Sequence, residues 1–570
     1  MPTFPNVFAE VAALLLLAAG CGAVALLLRQ PVIVAFIAVG ILAGPAGLNW
    51  VHSADQIDLL AKLGIALLLF VVGLKLDVHL IRNMGRVALA TGLGQVLFTS
   101  VTGFGLCLLL GLDVVPAWYV GIALTFSSTI IIVKLLSDKR EIDALHGRIA
   151  VGFLIVQDIV VVVAMIVLSA FVGGNAGAGS LGALLGVLGM GGVFLVAVGL
   201  AMRYLLPGLL TRIAASPELL VLFAIAWGVS LASLGDVLGF SKEIGAFVAG
   251  VSLASSPFRE AIASRLVGLR DFLLLFFFLS LGAQQDLQHL GAQLAPAAAL
   301  SLFVLIGNPL IVMVIMGWMG YRKRTSFLAG LTVAQISEFS LILGSMALSL
   351  GHIDAPVLGL ITLVGLITIG VSTYMILYSH QLYQWLGPWL GLFERRIPHA
   401  EGPDRDEMPA DHTAEAIIFG LGRYGSRIGE GLRAGGWRVL GIDFDPQAVQ
   451  EAERQGWAAR YGDAEDPELL RSLPLIGCRW VVCASPWAET NAILLDALRQ
   501  QGYRGRVALT ARVPSDAARL TSTGADLILC PHLDAADRAV EQLLPANGAG
   551  SVAESVAIRD YANNLSTPHG

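Results

Sequence analysis

Thirteen stretches of this chain are each apolar over close to the length that a helix needs to cross a membrane, about 20 residues. They fill residues 1–390 almost end to end: 7–28, 31–48, 56–75, 87–110, 116–136, 148–172, 181–204, 218–235, 242–256, 269–287, 295–320, 325–350 and 356–380. In lipid every backbone polar group has to be satisfied within the segment, so such stretches can only be helices. The chain has 570 residues, 56% hydrophobic and 14% charged, about half the charge of an ordinary soluble domain. Residues 1–390 hold 18 Lys and Arg against 17 Asp and Glu, a net of +1. Residues 391–570 hold 18 Arg, no Lys and 25 Asp and Glu, a net of −7. Two regions in two solvents are implied: a transmembrane domain over 1–390, a charged linker over 391–413, a soluble domain over 414–545 and a tail over 546–570.

Loop charges give an orientation. With the N-terminus outside, 16 of the 18 basic residues of the first region fall on the cytoplasmic side, and only Lys62 and Lys242 fall outside. An odd number of crossings then leaves the soluble domain in the cytoplasm, as in a multi-pass protein of a bacterial inner membrane. The start, MPTFPNVFAE, lacks a basic leader and a cleavage site, so the first apolar run is expected to remain as a helix.

Polar residues inside the spans carry the chemistry. Asp158 lies near the middle of the sixth span, VGFLIVQDIVVVVAMIVL, beside Gln157. A carboxyl there is stable only when protonated or paired with a cation, the alternation that an exchanger needs. A structural acid paired across helices is the plainer reading. The fifth span is interrupted by Thr125, Ser127, Ser128 and Thr129, and the twelfth by Gln335, Ser337 and Glu338. Both are the second-to-last span of a six-span group, which suggests inverted repeats with an ion site between two broken helices. Isolated Ser and Thr in such helices often only bond back to their own turn. Glu338 is expected to balance a helix N-terminus at the break, and Asn308 precedes a Pro in the eleventh span.

In the second region strands and helices alternate. Strands are expected at 416–419, 437–443, 458–463, 480–485, 506–511 and 527–530, with helices over 425–434 and 448–455, a parallel doubly wound, Rossmann-like α/β sheet. Gly420, Gly422 and Gly425 form a GxGxxG between the first strand and helix, and Asp443 ends the second strand. Those glycines let phosphates approach a helix N-terminus while the acid holds a ribose hydroxyl. Arg423 and Tyr424 lie within the loop motif, and Phe444, Asp463, Ala464 and Ser485 follow later strands at the same edge. An adenine nucleotide (AMP, ATP or NAD(H)) is the expected ligand. Little chain follows the sixth strand, so binding without turnover is expected rather than an enzyme. The five cysteines lie outside any CxxC pair, giving no metal or disulfide framework, and the dispersed basic residues argue against nucleic-acid binding.

The segments FVVGLKLD, ALTFSSTIII, FLIVQDIVVV, GAFVAGVSLASSPFR, FLLLFFFLSLG, QISEFSLIL, IIFGLGRYG, DFDP and YGDAED occur in that order. On them the chain resembles the monovalent cation:proton antiporter-2 family, in particular Kef-type potassium efflux systems with a C-terminal RCK (TrkA-N) domain. The resemblance implies a homodimer, elevator-type alternating access at Gln157 and Asp158 beneath the crossing of two broken helices, and control by an adenine nucleotide. It implies K+, or Na+, as substrate. Three departures stand out. Many relatives carry a Lys or Arg where Asn308 stands, which points to electroneutral exchange. Lys75 replaces the acid of a GLELD motif. The glutathione-associated HQGVEKPE-like loop is absent. The alternative reading is an RCK-gated cation channel, but no TVGYG-like filter is present.

Overall fold

The structure is a computed structural model of the chain. It describes residues 6–45, 47–75, 86–139, 141–142, 144–170, 192–238, 241–285, 287–393, 414–465, 469–470 and 473–543. Two compact units separate at Met1–Arg396 and Ile397–Gly570.

The first unit is helical throughout. Its elements are α1 (Val7–Leu27), α2 (Val32–Ala43), α3 (Ala54–Lys75), α4 (Arg86–Leu109), α5 (Val114–Ala123), α6 (Thr129–Asp138), α7 (Leu145–Ala170), α8 (Gly192–Ile213) and α9 (Pro217–Val237). There follow α10 (Lys242–Ala254), α11 (Arg259–Ala283), α12 (Leu287–Leu302), α13 (Asn308–Trp318), α14 (Lys323–Leu331), α15 (Glu338–Ser349), α16 (Ala355–Leu377) and α17 (Ser379–Leu390). Among the described residues nine helices are long and apolar enough to cross a membrane, counting α12 and α13 as one continuous rod. Many of their large apolar side chains, such as Leu16, Leu27, Leu97, Val193 and Leu222, are exposed, as suits a surface covered by lipid or by a partner chain.

Two expected spans are discontinuous. The fifth is α5 and α6 with 124–128 unwound between them, and the twelfth is α14 and α15 with 332–337 unwound. Each second half starts on a hydroxyl. Ser128 Oγ accepts from the Ile131 amide at 3.3 Å, and Ser337 and Ser340 form a capping box. The serines that break the apolar pattern therefore supply the caps that let a helix restart inside apolar surroundings. The tenth span differs from expectation. Its helix α11 begins at Arg259, ahead of the expected start at 269, so Arg259 and Arg265 lie on the helix and not in a loop. The buried Arg270 guanidinium pairs with Asp271. Residues 181–191 of the seventh span lie outside the described residues.

Membrane helices gain little from hydrophobic association and pack instead through small residues. Here α3 meets α11 at Gly64, where a Cβ would lie 2.8 Å from the Leu273 backbone. It meets α10 at Gly73 and Gly250, and α2 meets α11 at Gly40 and Gly282, each in backbone contact. Pro207 and Pro309 are accommodated by π-turns directly before them, Ala201–Leu205 and Phe303–Gly307. Each π-turn absorbs the hydrogen bond that a proline removes.

The second unit is a six-stranded parallel sheet in the order β3-β2-β1-β4-β5-β6. The elements are β1 (Ala416–Phe419), α18 (Arg423–Ala434), β2 (Val439–Asp443), α19 (Pro446–Arg454), β3 (Ala458–Tyr461) and β4 (Trp480–Cys483). After these come α20 (Ala488–Gln500), β5 (Arg506–Thr510), α21 (Pro514–Ser522), β6 (Leu527–Leu529) and α22 (Pro531–Leu543). Both sheet faces are covered. Ile417, Phe419 and Leu440 pack into one core, and Ile418, Val439 and Trp457 into the other. Every expected strand is present, shortened by two residues at most. The strand expected over 437–443 starts at Val439 because Gly436 (φ +84°) and Trp437 turn the chain out of α18.

Candidate ion and nucleotide sites

Asp158 and Gln157 sit on α7, against the break between α5 and α6. Thr129, the first residue of α6, donates its hydroxyl to Asp158 Oδ2 at 2.9 Å. Among the described residues Asp158 makes no ion pair. Gln157 is 1% exposed. Its Oε1 accepts from the Ser127 amide at 3.0 Å, and its Nε2 donates to Gln95 Oε1 at 2.7 Å.

Gln95 and Thr99 on α4 were not singled out in the sequence, yet they link the whole site. Gln95 Nε2 donates to the Thr125 carbonyl and to Thr99 Oγ1, both at 3.2 Å, and Thr99 Oγ1 donates to Asn308 Oδ1 at 3.0 Å. Their i, i+4 spacing inside an apolar span was the available signal. Asn308 is fully buried and spans the two breaks. Its Nδ2 donates to the Leu124 carbonyl of the first at 3.2 Å and to the Val333 carbonyl of the second at 3.4 Å. Ser340 Oγ adds a bond to the Ala123 carbonyl at 2.6 Å. The unwound segments thus face each other, tied by side chains that satisfy the carbonyls left over by the breaks.

Glu338 is the first residue of α15, buried, with the Ser128 and Ser337 hydroxyls on its carboxyl. Gln335 Oε1 accepts from Ser372 on α16 at 2.7 Å. Thr125 Oγ1 turns back to the Ile122 carbonyl at 2.6 Å, ending α5. The Ser127 hydroxyl and Gln335 Nε2 are buried without a partner. Only the former has lone pairs to offer a cation, since an amide N–H₂ only donates. The groups around the break are therefore a carboxylate, hydroxyls and peptide oxygens, a hard donor set that suits an alkali cation and not a soft metal.

In the second unit the GxGxxG turn leaves β1 with Gly420 at φ +89°, a conformation that favours glycine. A Cβ at Gly425 would overlap the Gly420 carbonyl oxygen, so that glycine is required for α18 to start against the turn. Gly422 caps α18 without a side chain, and the amides of Arg423, Tyr424 and Gly425 have no acceptor earlier in the helix. Such amides form an anion site. Asp443 Oδ2 accepts from the Leu421 amide at 2.5 Å, and Oδ1 from the Asp445 amide at 2.8 Å. Each oxygen keeps a further lone pair for a hydroxyl. Burial pushes the Asp443 carboxyl up from its usual range, against those amide hydrogen bonds. Ser485, just past β4, lies against Gly420 across the point where strand order reverses, and its backbone carbonyl accepts from Asn491 at 3.0 Å. Arg423 is exposed, Phe444 is 39% exposed, and Asp463 and Ala464 follow β3 at the same edge. The residues present fit a phosphate and ribose at the β1–β4 crevice.

The transmembrane sodium/hydrogen exchanger family matches residues 13–377, and the TrkA-N domain family matches residues 416–531. The chain belongs to the sodium/hydrogen exchanger family. This exchanger is 27% identical over 547 residues to YbaL of Escherichia coli strain K12, described as a candidate cation/proton antiporter, covering 94% of this chain and 97% of that one. It is 29% identical over 512 residues to KefB of Alkalimonas amylolytica, described as a candidate K+ efflux antiporter, covering 89% and 76%. Among solved structures, the sodium proton antiporter MjNhaP1 of Methanocaldococcus jannaschii covers 99% of its own chain and 68% of this one, with a TM-score of 0.49 and 17% identity. The exchanger is accordingly a multi-pass cation/proton antiporter of the Kef type, with a TrkA-N domain of Rossmann-like topology behind it.

Proposed function

We propose that this exchanger moves a monovalent cation, K+ in preference to Na+, against one proton, through competition at Asp158. Protonated, Asp158 releases the cation. Deprotonated, it binds the cation together with Gln157, Thr129 and the Thr125–Ser128 segment. Exchange is electroneutral, because among the described residues Asp158 has no basic partner to supply a second charge. The K+ preference rests on relatives described as K+ efflux antiporters. Asn308, Gln335 and Glu338 support the crossing, and alternating access is of the elevator type, in a homodimer. The chain crosses the membrane thirteen times, with its N-terminus outside and the TrkA-N domain, bounded at 414–545, in the cytoplasm. An adenine nucleotide on the Gly420–Gly425 turn and Asp443 tunes the exchange without being turned over. One observation carries this reading: Asp158 receives the first hydroxyl of a helix that restarts inside the membrane, beside carbonyls that a second broken helix shares through Asn308.

The test is proton flux in proteoliposomes with K+, Na+ and Li+ in turn, with and without AMP or NADH. Asp158→Asn is expected to abolish cation-dependent flux. Undiminished exchange by that variant would sink the site assignment.

A further inference from the structure

A second cluster of titratable groups lies away from the exchange site, at the turn joining α6 to α7. Glu141 stands at its centre. Its Oε1 meets Lys139 Nζ at 2.9 Å and His380 Nε2 at 2.7 Å, and its Oε2 meets His146 Nε2 at 3.2 Å. Lys139, at the end of α6, also donates to Ser379 Oγ at 2.7 Å and to the Ile376 carbonyl at 3.2 Å. The side chains of Glu141, His146 and Lys139 are 16%, 8% and 14% exposed, and His380 is 31% exposed. Side chains from the α6–α7 turn, the first turn of α7 and the first turn of α17 thus converge on one carboxylate. The turn is built for this approach: a Cβ on Gly147 would overlap the Glu141 carbonyl oxygen.

Position gives the cluster its meaning. Helix α6 begins with Thr129 and α7 carries Gln157 and Asp158, so the turn joins the two helices of the exchange site. Helix α17 is the last α-helix described before β1 of the TrkA-N unit. One carboxylate therefore connects the exchange helices to the segment through which the chain leaves the membrane unit.

We infer that Glu141, His146 and His380 form a proton-operated clasp that fastens α17 to the α6–α7 turn and tightens as the pH on that side falls. Burial acts to raise the Glu141 carboxyl, but hydrogen bonds from His146 and His380 and the charge of Lys139 outweigh it and hold the carboxyl well below its usual range. Glu141 thus stays ionised, and its contribution to stability is lost only as pH drops below the ordinary carboxylate range. The group that changes charge between pH ~5 and ~8 is histidine. Protonation turns two hydrogen bonds from neutral imidazoles to the Glu141 carboxylate into partly buried ion pairs, charged on both sides and the stronger for it. Other charges on the elements that meet here are Asp138 at the end of α6, Arg148 on α7, and Arg322, Lys323 and Arg324 at the start of α14, which packs against α17. The chain neighbours Arg140 and Asp143 lie outside the described residues. In the proposed orientation the sensed pH is that of the cytoplasm, and the clasp rests on that reading for its side, not for its existence.

The test is amide hydrogen exchange of residues 376–392 in the full-length protein in nanodiscs between pH about 7.5 and 5.5, corrected for the intrinsic exchange rate. Protection should rise as pH falls in the wild type and lose that rise in Glu141→Gln. His380→Gln keeps a donor at a half-exposed position and serves as the variant least disturbing to folding; it too should flatten the profile. A wild-type profile without pH dependence, or one left unchanged in both variants, overturns the clasp. In proteoliposomes Glu141→Gln should keep exchanging with an altered dependence on the pH of the α17 side. Asp158→Asn should lose exchange while retaining the wild-type hydrogen-exchange profile, so failure of the exchange site and failure of the clasp are told apart.

Discussion

Asn308 illustrates how much one side chain decides here. It holds two unwound carbonyls, Leu124 and Val333, and accepts from Thr99. An interhelical hydrogen bond in a membrane is worth about 0.6 kcal/mol on average, while a buried carbonyl left unpaired costs about 1–3 kcal/mol. Asn308→Ala is therefore expected to destabilise the protein by roughly 2–4 kcal/mol. It should lower the thermal unfolding midpoint in detergent and weaken exchange through loosening of both breaks. An unchanged midpoint would mean that the crossing is held elsewhere. Asp443 gives a prediction with a sign. Burial raises its carboxyl above the usual range, and a ribose hydroxyl donates to the ionised form. Nucleotide affinity should fall on acidification, starting above the ordinary carboxylate range, and Asp443→Asn should remove that pH dependence together with most of the binding. Isothermal titration with AMP and NADH at several pH values measures both.

At the level of elements, the two broken helices are the feature on which the proposed exchange site depends. Each restarts on a serine cap, Ser128 and Ser337. Losing such a cap typically costs about 1 kcal/mol, and here it would also expose the first amides of α6 or α15 to apolar surroundings. Ser337→Ala should reduce exchange without abolishing it, since Ser340 and Glu338 still stand at the start of α15. Loss as complete as that of Asp158→Asn would give Ser337 a direct part in the chemistry. The α3–α10 contact is a different kind of element. Gly250 lies in backbone contact with Phe70, so Gly250→Leu has no room and should destabilise the packed pair by several kcal/mol. A thermal-shift assay reads this, with Gly20→Ala as the control because open space surrounds Gly20.

On the scale of the whole molecule, the exchanger-family helices and the TrkA-N sheet form separate compact units of one chain. The first has the pieces to trade a proton for a cation, and the second has the pieces to hold a nucleotide. Regulation then predicts that AMP or NADH changes the rate of proton flux in proteoliposomes, and that Gly425→Ala removes this effect while leaving basal exchange intact. The substitution cannot be accommodated because its Cβ would meet the Gly420 carbonyl. Nucleotide-dependent flux that survives it would place the regulatory site elsewhere.

Much of this architecture was legible in the chain alone. Apolar length, with its strong free-energy cost for polar backbone in lipid, marked the helices of the first unit. The GxGxxG turn followed by Asp443 marked the parallel sheet and the edge at which its loops gather. The polar runs at 125–129 and 335–338 marked the breaks, because such side chains compete with helical hydrogen bonds. Distance in the fold is what the sequence does not encode. Gln95 and Thr99 looked like two tolerated polar residues until α4 was packed against α7 and α13, where they carry the network from Gln157 to Asn308. Asn308 looked like the neighbour of a proline, and only the meeting of two breaks made it their bridge. Arg265 looked like a loop residue, and the earlier start of helix α11 placed it on the helix. Glu141, His146 and His380 are separated by up to 239 residues. Local propensity and hydropathy fix which segments become helices; which polar groups then meet is settled by packing, because inside a membrane a polar side chain that does not bond back to its own turn must find its partner on another helix.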